Sequence, residues 1–180
     1  MNYWLFKTEA ETFSWDDQKK RGAKGEPWSG VRNFLAAKNM KAMKKGDLGF
    51  FYHTGDERRI VGIVEVISEY RKDPTDETGR FGLVDVKAVK DLARPVTLAE
   101  IKADPKLKDM VLVKYSRLSV QPVTPEEWKY ILKMGGSWRL FSCAAWTSLP
   151  IREPATSYWE RAKTSSISSL YRRKGRGTPM

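Results

Sequence analysis

Two dense apolar runs separated by a short polar turn constrain the fold of this 180-residue chain more than any other feature. Residues 48–53 and 60–67 both favour strands, and the second run is rich in β-branched residues, which pack well on a pleated surface. Residues 54–58, which lie between them, include a glycine and have a length typical of a hairpin connection. The sequence therefore predicts a β-hairpin whose strands are buried.

The other predicted elements do not alternate regularly between strand and helix. We predict further strands over residues 2–8, 81–89 and 118–123, with a polar loop over 73–79 before the second of them. A doubly wound parallel sheet requires regular alternation of strands and helices, so this order argues against one. It favours an α+β fold in which short helices flank a small mixed β-barrel.

Several predicted helices carry start signals. Ser14 precedes two aspartates in a first turn, and Thr97 with Glu100 forms a capping box. Thr124 is followed by a proline and by glutamates, which is also typical of a helix start. A further helical turn is expected over 104–109 and a longer helix over 32–43. The apolar spacing of that longer helix comprises Phe34, Leu35, Ala37 and Met40.

The net charge of +11, from 33 Lys and Arg against 22 Asp and Glu, favours an anionic partner, and nucleic acid is the commonest one. The excess is uneven, because residues 137–180 hold eight basic residues and two acidic ones, a net +6 that leaves +5 for residues 1–136. We therefore predict a domain over 1–136 and a loosely ordered, basic, Ser/Thr-rich tail over 137–180. The tail either adds phosphate affinity without specificity or takes no part in binding.

Cysteine and histidine each occur once, as Cys143 and His53. This excludes a disulfide within the chain and a cysteine-based zinc site, and no metal or other cofactor is expected. The first residues lack the basic region of a signal peptide, and no apolar stretch reaches the length of a membrane span. The expected setting is the cytoplasm, or the nucleus in a eukaryote, without a membrane partner, and the oligomeric state stays open.

A large aromatic residue, Trp28, lies in a loop rich in Gly and Pro rather than on an apolar periodicity. Gly30 then frees the backbone, and Arg32 and Asn33 add hydrogen-bonding groups. A flat apolar plate beside such groups suits a planar ligand with polar edges, such as a nucleobase. Trp28 is therefore predicted to contact a ligand, whereas Trp4 and Trp128 follow core-facing periodicities.

Polar residues end two of the predicted strands. Lys7 and Thr8 end the first, and Tyr52 and His53 end the strand over 48–53. These residues either line the mouth of a pocket or are ordinary strand ends, with His53 bonded to a backbone carbonyl. Enzyme signatures are sparse, because no phosphate-cradling glycine loop is present and a nucleophile such as Cys143 has only His53 as a base.

Several motifs over residues 2–136 resemble the EVE domain. They are Tyr3-Trp4-Leu5-Phe6-Lys7-Thr8-Glu9, Trp28-x-Gly30-Val31-Arg32-Asn33, Met43-Lys44-x-Gly46-Asp47-x-x-Phe50-Phe51-Tyr52-His53, Gly62-Ile63-x-Glu65-Val66, Arg117-Leu118-Ser119-Val120-x-Pro122-Val123 and Trp128. The resemblance implies a PUA-like fold related to the YTH and ASCH domains. It also implies binding to DNA or RNA that carries modified bases, such as methylated or hydroxymethylated cytosine.

The resemblance further implies a flipped base that stacks on an aromatic ring and is recognised at its edge. Trp28 would stack, and the pocket or its phosphate contacts would come from Lys7, Thr8, Ser29, Arg32, Asn33, Tyr52, His53, Arg117 and Ser119. Stacking is worth about 1–3 kcal/mol per base and discriminates little between bases. Hydrogen bonds must therefore supply selectivity. Trp28→Ala is expected to abolish discrimination while the fold survives.

Two positions depart from the family pattern, since Ala10 stands where Pro is usual and Phe34 stands where Tyr is common. Two other functions stay open. A nucleic-acid-processing enzyme, like the nucleases among ASCH relatives, would bring two carboxylates, or Lys7 with a carboxylate, into the Trp28 pocket. A small-molecule binder would have no basic rim and little salt dependence.

Overall fold

The computed structural model describes residues 1–137, which fold around a mixed six-stranded sheet with short helices beside it. The strands are β1 (Tyr3–Thr8), β2 (Glu26–Pro27), β3 (Leu48–His53), β4 (Arg59–Val66), β5 (Arg71–Lys72), β6 (Gly82–Leu83), β7 (Asp85–Thr97) and β8 (Val120–Val123). The helices are α1 (Trp15–Lys20), α2 (Phe34–Ala42), α3 (Leu98–Ala103), α4 (Val111–Lys114) and α5 (Pro125–Met134), with a 3₁₀ turn at Gly22–Lys24. The large sheet has the order β2-β7-β4-β3-β1-β8 and is curled into a half-barrel, while β5 and β6 pair separately. The predicted α+β class is confirmed.

The first strand lies between two partners that are distant in sequence. β1 pairs parallel with β3, so that Lys7 lies opposite Tyr52 and Thr8 opposite His53, and it pairs antiparallel with β8. The parallel pairing brings the carboxyl ends of β1 and β3 to the same edge of the sheet. The predicted hairpin is confirmed as β3 and β4, and all six residues of β3 are buried.

Both faces of the sheet are covered, because alternate side chains of a strand enter two different hydrophobic clusters. In β1, Leu5 packs into one cluster, and Trp4 and Phe6 pack into the other. Trp128 lies in the first cluster, so the prediction that Trp4 and Trp128 are core residues is confirmed. Space is tight, since a Cβ atom at Gly62 would come within 2.2 Å of the Trp15 ring.

The helix starts follow the local signals. The Ser14 hydroxyl accepts the backbone N–H of Asp17, and capping boxes are formed by Thr97 with Glu100 and by Thr124 with Glu127. Each box satisfies two backbone donors that the first turn leaves unpaired. These helix starts are confirmed as predicted.

Helix α2 differs from its prediction in both its start and its buried face. The Asn33 side chain accepts the backbone N–H groups of Leu35 and Ala36, so the helix begins at Phe34 rather than at residue 32. The buried stripe contains Ala36, Ala37 and Met40, whereas Phe34 is 71% exposed and Leu35 is 47% exposed. The predicted apolar stripe is therefore confirmed for Ala37 and Met40 and wrong for Phe34 and Leu35, because the buried face runs along the two alanines.

Three other predicted elements have different bounds. The strand over 81–89 is divided into β6 and the start of β7, and β7 then continues to Thr97 with register shifts against β4. Residues 105–109 form hydrogen-bonded turns, and the next helix begins only at Val111. The strand predicted over 118–123 begins at Val120 rather than at residue 118.

The basic tail predicted from residue 137 onward lies, apart from Ser137, outside the described residues. Within residues 1–137, no helix is long and apolar enough to cross a membrane.

Candidate functional site

A cleft of about 350 Å³ opens beside the segment that connects β2 to α2. Six of the ten predicted site residues line it, namely Lys7, Thr8, Trp28, Ser29, Arg32 and Ser119. The other lining residues are Thr12, Phe13, Glu26, Pro27, Gly30 and Val31. The fold thus brings together the end of β1, the loop before α2 and the residue that precedes β8. The volume lies at the lower end of the range of roughly 300–1,000 Å³ typical of small-ligand sites.

Trp28 belongs both to this cleft and to the core. Its side chain is only 8% exposed, and its ring packs in T-shaped contacts with Phe6 and Phe51 at centroid distances of 5.1 and 5.7 Å. Its backbone N–H donates to the carbonyl oxygen of Val84, 2.8 Å away, which continues the pairing of β2 with β7. The burial of Trp28 could not be predicted from the sequence, because its Gly- and Pro-rich neighbours indicate a loop rather than a core position. The expectation that the fold survives Trp28→Ala is therefore corrected, because the substitution would remove a core side chain.

The buried carboxylate of Asp73 fixes the loop that follows Trp28. One carboxylate oxygen accepts the Gly30 backbone N–H at 3.0 Å and the Arg32 guanidinium at 2.8 Å. The other oxygen accepts the backbone N–H and the hydroxyl of Thr75. Burial acts to raise the pKa of Asp73, but the hydrogen bonds from Thr75, Arg32 and Gly30 together hold this pKa well below its usual range. Asp73 is therefore ionised at neutral pH and fixes the loop after Trp28. We call its contacts with Gly30, Arg32 and Thr75 the Asp73 latch.

The same latch orients Arg32. Its guanidinium also donates to the carbonyl and hydroxyl oxygens of Thr75 at 2.8 and 2.9 Å, and the side chain remains 38% exposed. Arg32 is thus a fixed cation at the rim of the cleft. The sequence places Asp73 only in a polar loop. An Asp followed by Pro and Thr indicates a local turn, but it does not reveal the contacts with residues 30 and 32.

Lys7 lies at one end of the cleft in a half-buried position. Its ammonium group donates to the carbonyl oxygen of Ser116 at 2.9 Å and lies 5.8 Å from the centroid of the Tyr52 ring. Burial lowers the pKa of Lys7 to about 8. The Lys7 backbone N–H donates to the Ser119 carbonyl oxygen, which holds that residue against β1.

Four predicted site residues do not line the cleft. Asn33 uses its side-chain oxygen to cap α2. Tyr52 lines a second cavity, which also contains Lys7. Arg117 is exposed in the turn between α4 and β8 and lines neither cavity. His53 is buried, and both of its ring nitrogens contact other residues of the protein.

His53 has two protein partners. Its Nε2 atom accepts the backbone N–H of Trp15 at 3.0 Å, and its Nδ1 atom contacts the Glu57 carboxylate. Since Nε2 is an acceptor, the ring proton must lie on Nδ1, where it faces Glu57. The backbone partner expected for a strand-end histidine exists, but it is an N–H group rather than a carbonyl. His53 thus caps the first residue of α1.

We expect His53→Ala to lower the free energy of unfolding by about 1–3 kcal/mol, because the buried N–H of Trp15 loses its acceptor. Ligand binding in the cleft should change little. Chemical denaturation together with a binding titration checks both statements, and His53→Gln, which retains an acceptor oxygen, is the matched control. Lost binding at unchanged stability would contradict this structural role.

Of the carboxylates in residues 1–137, only that of Glu26 lines the cleft, and it forms an ion pair with Arg21 at 2.7 Å. Lys7 shares the cleft with Glu26, but its ammonium group is bonded to Ser116 instead. Within residues 1–137, no three His, Cys, Asp or Glu side chains come together in a way that would hold a metal ion. The cleft is therefore equipped for hydrogen bonding and charge rather than for paired-carboxylate chemistry.

The curled mixed sheet and the aromatic, polar-rimmed cleft define a PUA-like α+β domain. The chain belongs to the EVE domain family, whose model matches residues 2–134. The resemblance found in the sequence is thereby confirmed.

Known relatives cover most of the chain. Thymocyte nuclear protein 1 of Homo sapiens is 32% identical, with 74% of this chain and 73% of the relative covered, and its Gallus gallus counterpart is 35% identical, with 73% and 68% covered. A solved structure from Rhodopseudomonas palustris is 57% identical, with a TM-score of 0.73 over 76% of this chain and 94% of that chain. The human THYN1 protein, solved in complex with DNA containing 5-methylcytosine, is 32% identical, with a TM-score of 0.70 over 75% and 98%.

Proposed function

We propose that this protein is a nucleic-acid-binding module that holds one modified base of DNA or RNA, flipped out of its stack, in the Trp28 cleft. The observation that carries the proposal is the cleft itself, where an indole ring lies beside polar groups fixed by the Asp73 latch. The complex of the human relative with 5-methylcytosine-containing DNA supports this function and makes a modified cytosine the first candidate.

The cleft offers both apolar contact and charge to such a base. The exposed part of Trp28, with Phe13 and Val31, forms an apolar surface for the base. Stacking contributes about 1–3 kcal/mol, whereas extracting a base from a duplex costs a few kcal/mol, so stacking alone is not sufficient. Arg32 and Lys7 at the rim supply attraction for the phosphates on either side.

Selectivity would come from the edge of the base. The Glu26 carboxylate accepts hydrogen bonds only, and the exocyclic amino group of cytosine is a donor that suits it. One added methyl group contributes about 0.8 kcal/mol when it is buried, which corresponds to roughly a fourfold preference. A larger preference therefore requires the hydroxyl groups of Thr8, Ser29 or Ser119 to recognise the modification or its bound water.

The proposal assigns binding rather than catalysis to the cleft. A nuclease on this fold would pair Glu26 with Lys7, but these two side chains, although both line the cleft, contact Arg21 and Ser116 rather than each other. The cationic rim is also unlike a site for an uncharged small molecule, since Arg32 and Lys7 would favour anionic ligands.

The decisive experiment is a titration with short single- and double-stranded oligonucleotides at two salt concentrations. Each carries an unmodified cytosine, a methylated cytosine, a hydroxymethylated cytosine or a methylated adenine. We expect a preference for one modified base that persists at the higher salt, because salt weakens mainly the phosphate contacts. Uniform, salt-sensitive binding to all of them would overturn the proposal.

Glu26→Gln adds a test of the edge contact within the same titration. The variant exchanges an acceptor oxygen for a donor, so it is expected to weaken binding of the preferred cytosine derivative by about tenfold. Glu126→Gln, an exposed change in the first turn of α5, is the matched control for charge. An unchanged preference in Glu26→Gln would remove Glu26 from base recognition.

A further inference from the structure

A second cavity, of about 320 Å³, shares Lys7 with the Trp28 cleft. Its charged lining consists of Lys7, Arg58 and Lys102, and Tyr52 lies with them, so we name it the basic cavity. Among the residues that the structure describes, no acidic side chain lines it. The carboxylate of nearby Glu57 is already occupied, because it contacts both His53 and Arg59.

The three cations of the basic cavity form no ion pair with any residue of the described chain. Lys7 donates one hydrogen bond to Ser116, and an ammonium group has three donors, so two remain. Arg58 uses Nε to bond the Gly55 carbonyl oxygen at 2.8 Å, which leaves its two terminal nitrogens for another partner. A half-buried cation without a counter-ion is costly, and the lowered pKa of Lys7 reflects that burial. An anion in the cavity would offset this cost.

The Tyr52 hydroxyl adds a neutral donor to these cations. Burial raises the pKa of Tyr52, with the Arg58 cation acting in the opposite direction, so the phenol keeps its proton at neutral pH. Its hydroxyl has no hydrogen-bond partner within residues 1–137. The cavity therefore contains two ammonium groups, a guanidinium and a phenol, and tetrahedral oxyanions bind to such donors.

We propose that the basic cavity binds a phosphate group of the same nucleic-acid strand whose modified base enters the Trp28 cleft, an inference that rests on the proposed function. Lys7 lines both cavities, so a base in one places the backbone of its strand close to the other. Arg58 and Lys102 are exposed, which leaves the cavity open for a strand to pass. The phosphate contact positions the strand, and the cleft recognises the base.

The test removes the two cations that line only the basic cavity. Arg58 has a φ of 42°, a conformation that favours glycine, so Arg58→Gly combined with Lys102→Gln deletes both charges without added backbone strain. The control is Lys38→Gln combined with Lys129→Gln, which removes the same charge from exposed helix positions that line neither cavity. All three proteins are titrated with modified and unmodified single-stranded oligonucleotides at several salt concentrations.

The cavity variant is expected to bind both oligonucleotides about tenfold more weakly at low salt, with the same relative preference between them. The slope of log affinity against log salt should become shallower by about 0.7 for each phosphate that the variant no longer neutralises. The control variant should keep the wild-type slope. An unchanged slope in the cavity variant would overturn the phosphate site, even where the wild-type protein prefers a modified base.

Failure of the proposed base recognition can be distinguished from failure of the phosphate site in the same titrations. A wild-type protein without base preference contradicts the proposed function, and a shallower slope in the cavity variant then still supports a strand-phosphate site. A parallel titration with inorganic phosphate follows the backbone amides of Gly55 and Ser116 by NMR. Saturable shifts with inorganic phosphate, together with an unchanged oligonucleotide slope, would indicate a site for free phosphate and overturn the strand proposal.

Discussion

Replacing Trp28 by alanine is expected to lower the free energy of unfolding by about 3–5 kcal/mol, the range for removing a large aromatic side chain from a packed core. The ring is 8% exposed and touches Phe6 and Phe51, so its loss leaves a void between the sheet and the cleft. Urea denaturation followed by circular dichroism measures the effect. A loss below about 1 kcal/mol would show that the neighbouring rings collapse into the space.

The control for this prediction is Trp28→Phe, which keeps an aromatic ring in the core. It should cost less stability than the alanine variant, because less buried volume is lost. The phenylalanine variant is also the better protein for binding measurements. It reduces the aromatic surface available to a base while the domain stays folded. Reduced discrimination in a stably folded Trp28→Phe protein would assign the ring a role in recognition beyond its role in packing.

Asp73→Asn is expected to have the second-largest effect, a loss of about 3 kcal/mol with weakened binding in the cleft. Removing one partner of a buried ion pair costs about 3–5 kcal/mol, and the lower end applies because Arg32 is partly exposed. The Gly30 N–H and the Arg32 guanidinium would both lose a carboxylate acceptor. Glu77→Gln, an exposed change in the same loop, is the control.

The pH dependence of the free energy of unfolding shows how much of the stabilisation by Asp73 comes from its negative charge, because Asn has a similar shape without the charge. The pKa of this carboxyl is lower in the folded protein than in the unfolded chain, so its contribution is complete above the unfolded value near 4. The contribution is then lost as pH falls towards the folded pKa. The wild-type protein should therefore lose more stability than Asp73→Asn between about pH 4 and pH 2. Parallel curves for the two proteins would contradict the latch.

The fold was predictable where local patterns decide the structure. The alternating side chains of β1, the β-branched run of β4 and the capping box at Thr97 are patterns that span only a few residues. Each can therefore be recognised in the sequence alone. The face of α2 was mispredicted because apolar spacing does not show which of two adjacent stripes meets the sheet. Here Ala36 and Ala37, rather than Phe34, lie inside.

The site was predictable in position but not in organisation. Trp28 and Arg32 were identified by residue type and loop context and Lys7 by its place at a strand end, and the fold brings them to one cleft. The contacts that set their roles cross long distances in sequence, as when Asp73 binds Gly30 or His53 caps α1. Such contacts produce no repeating pattern in the sequence. Asp73, in the loop after β5, therefore looks like an ordinary polar turn residue although its carboxylate is buried.

The position of β1 between β3 and β8 also determines when the large sheet is complete during synthesis. Phe6 lies opposite Val120, so one edge of this apolar strand stays uncovered until residues 120–123 have left the ribosome. At bacterial to eukaryotic elongation rates that interval is on the order of ten seconds. Ser119 arrives at the same moment and completes the wall of the cleft. A nascent chain therefore completes the wall of its ligand site only when β8 is added, and until then β1 has an unpaired apolar edge of the kind that promotes aggregation.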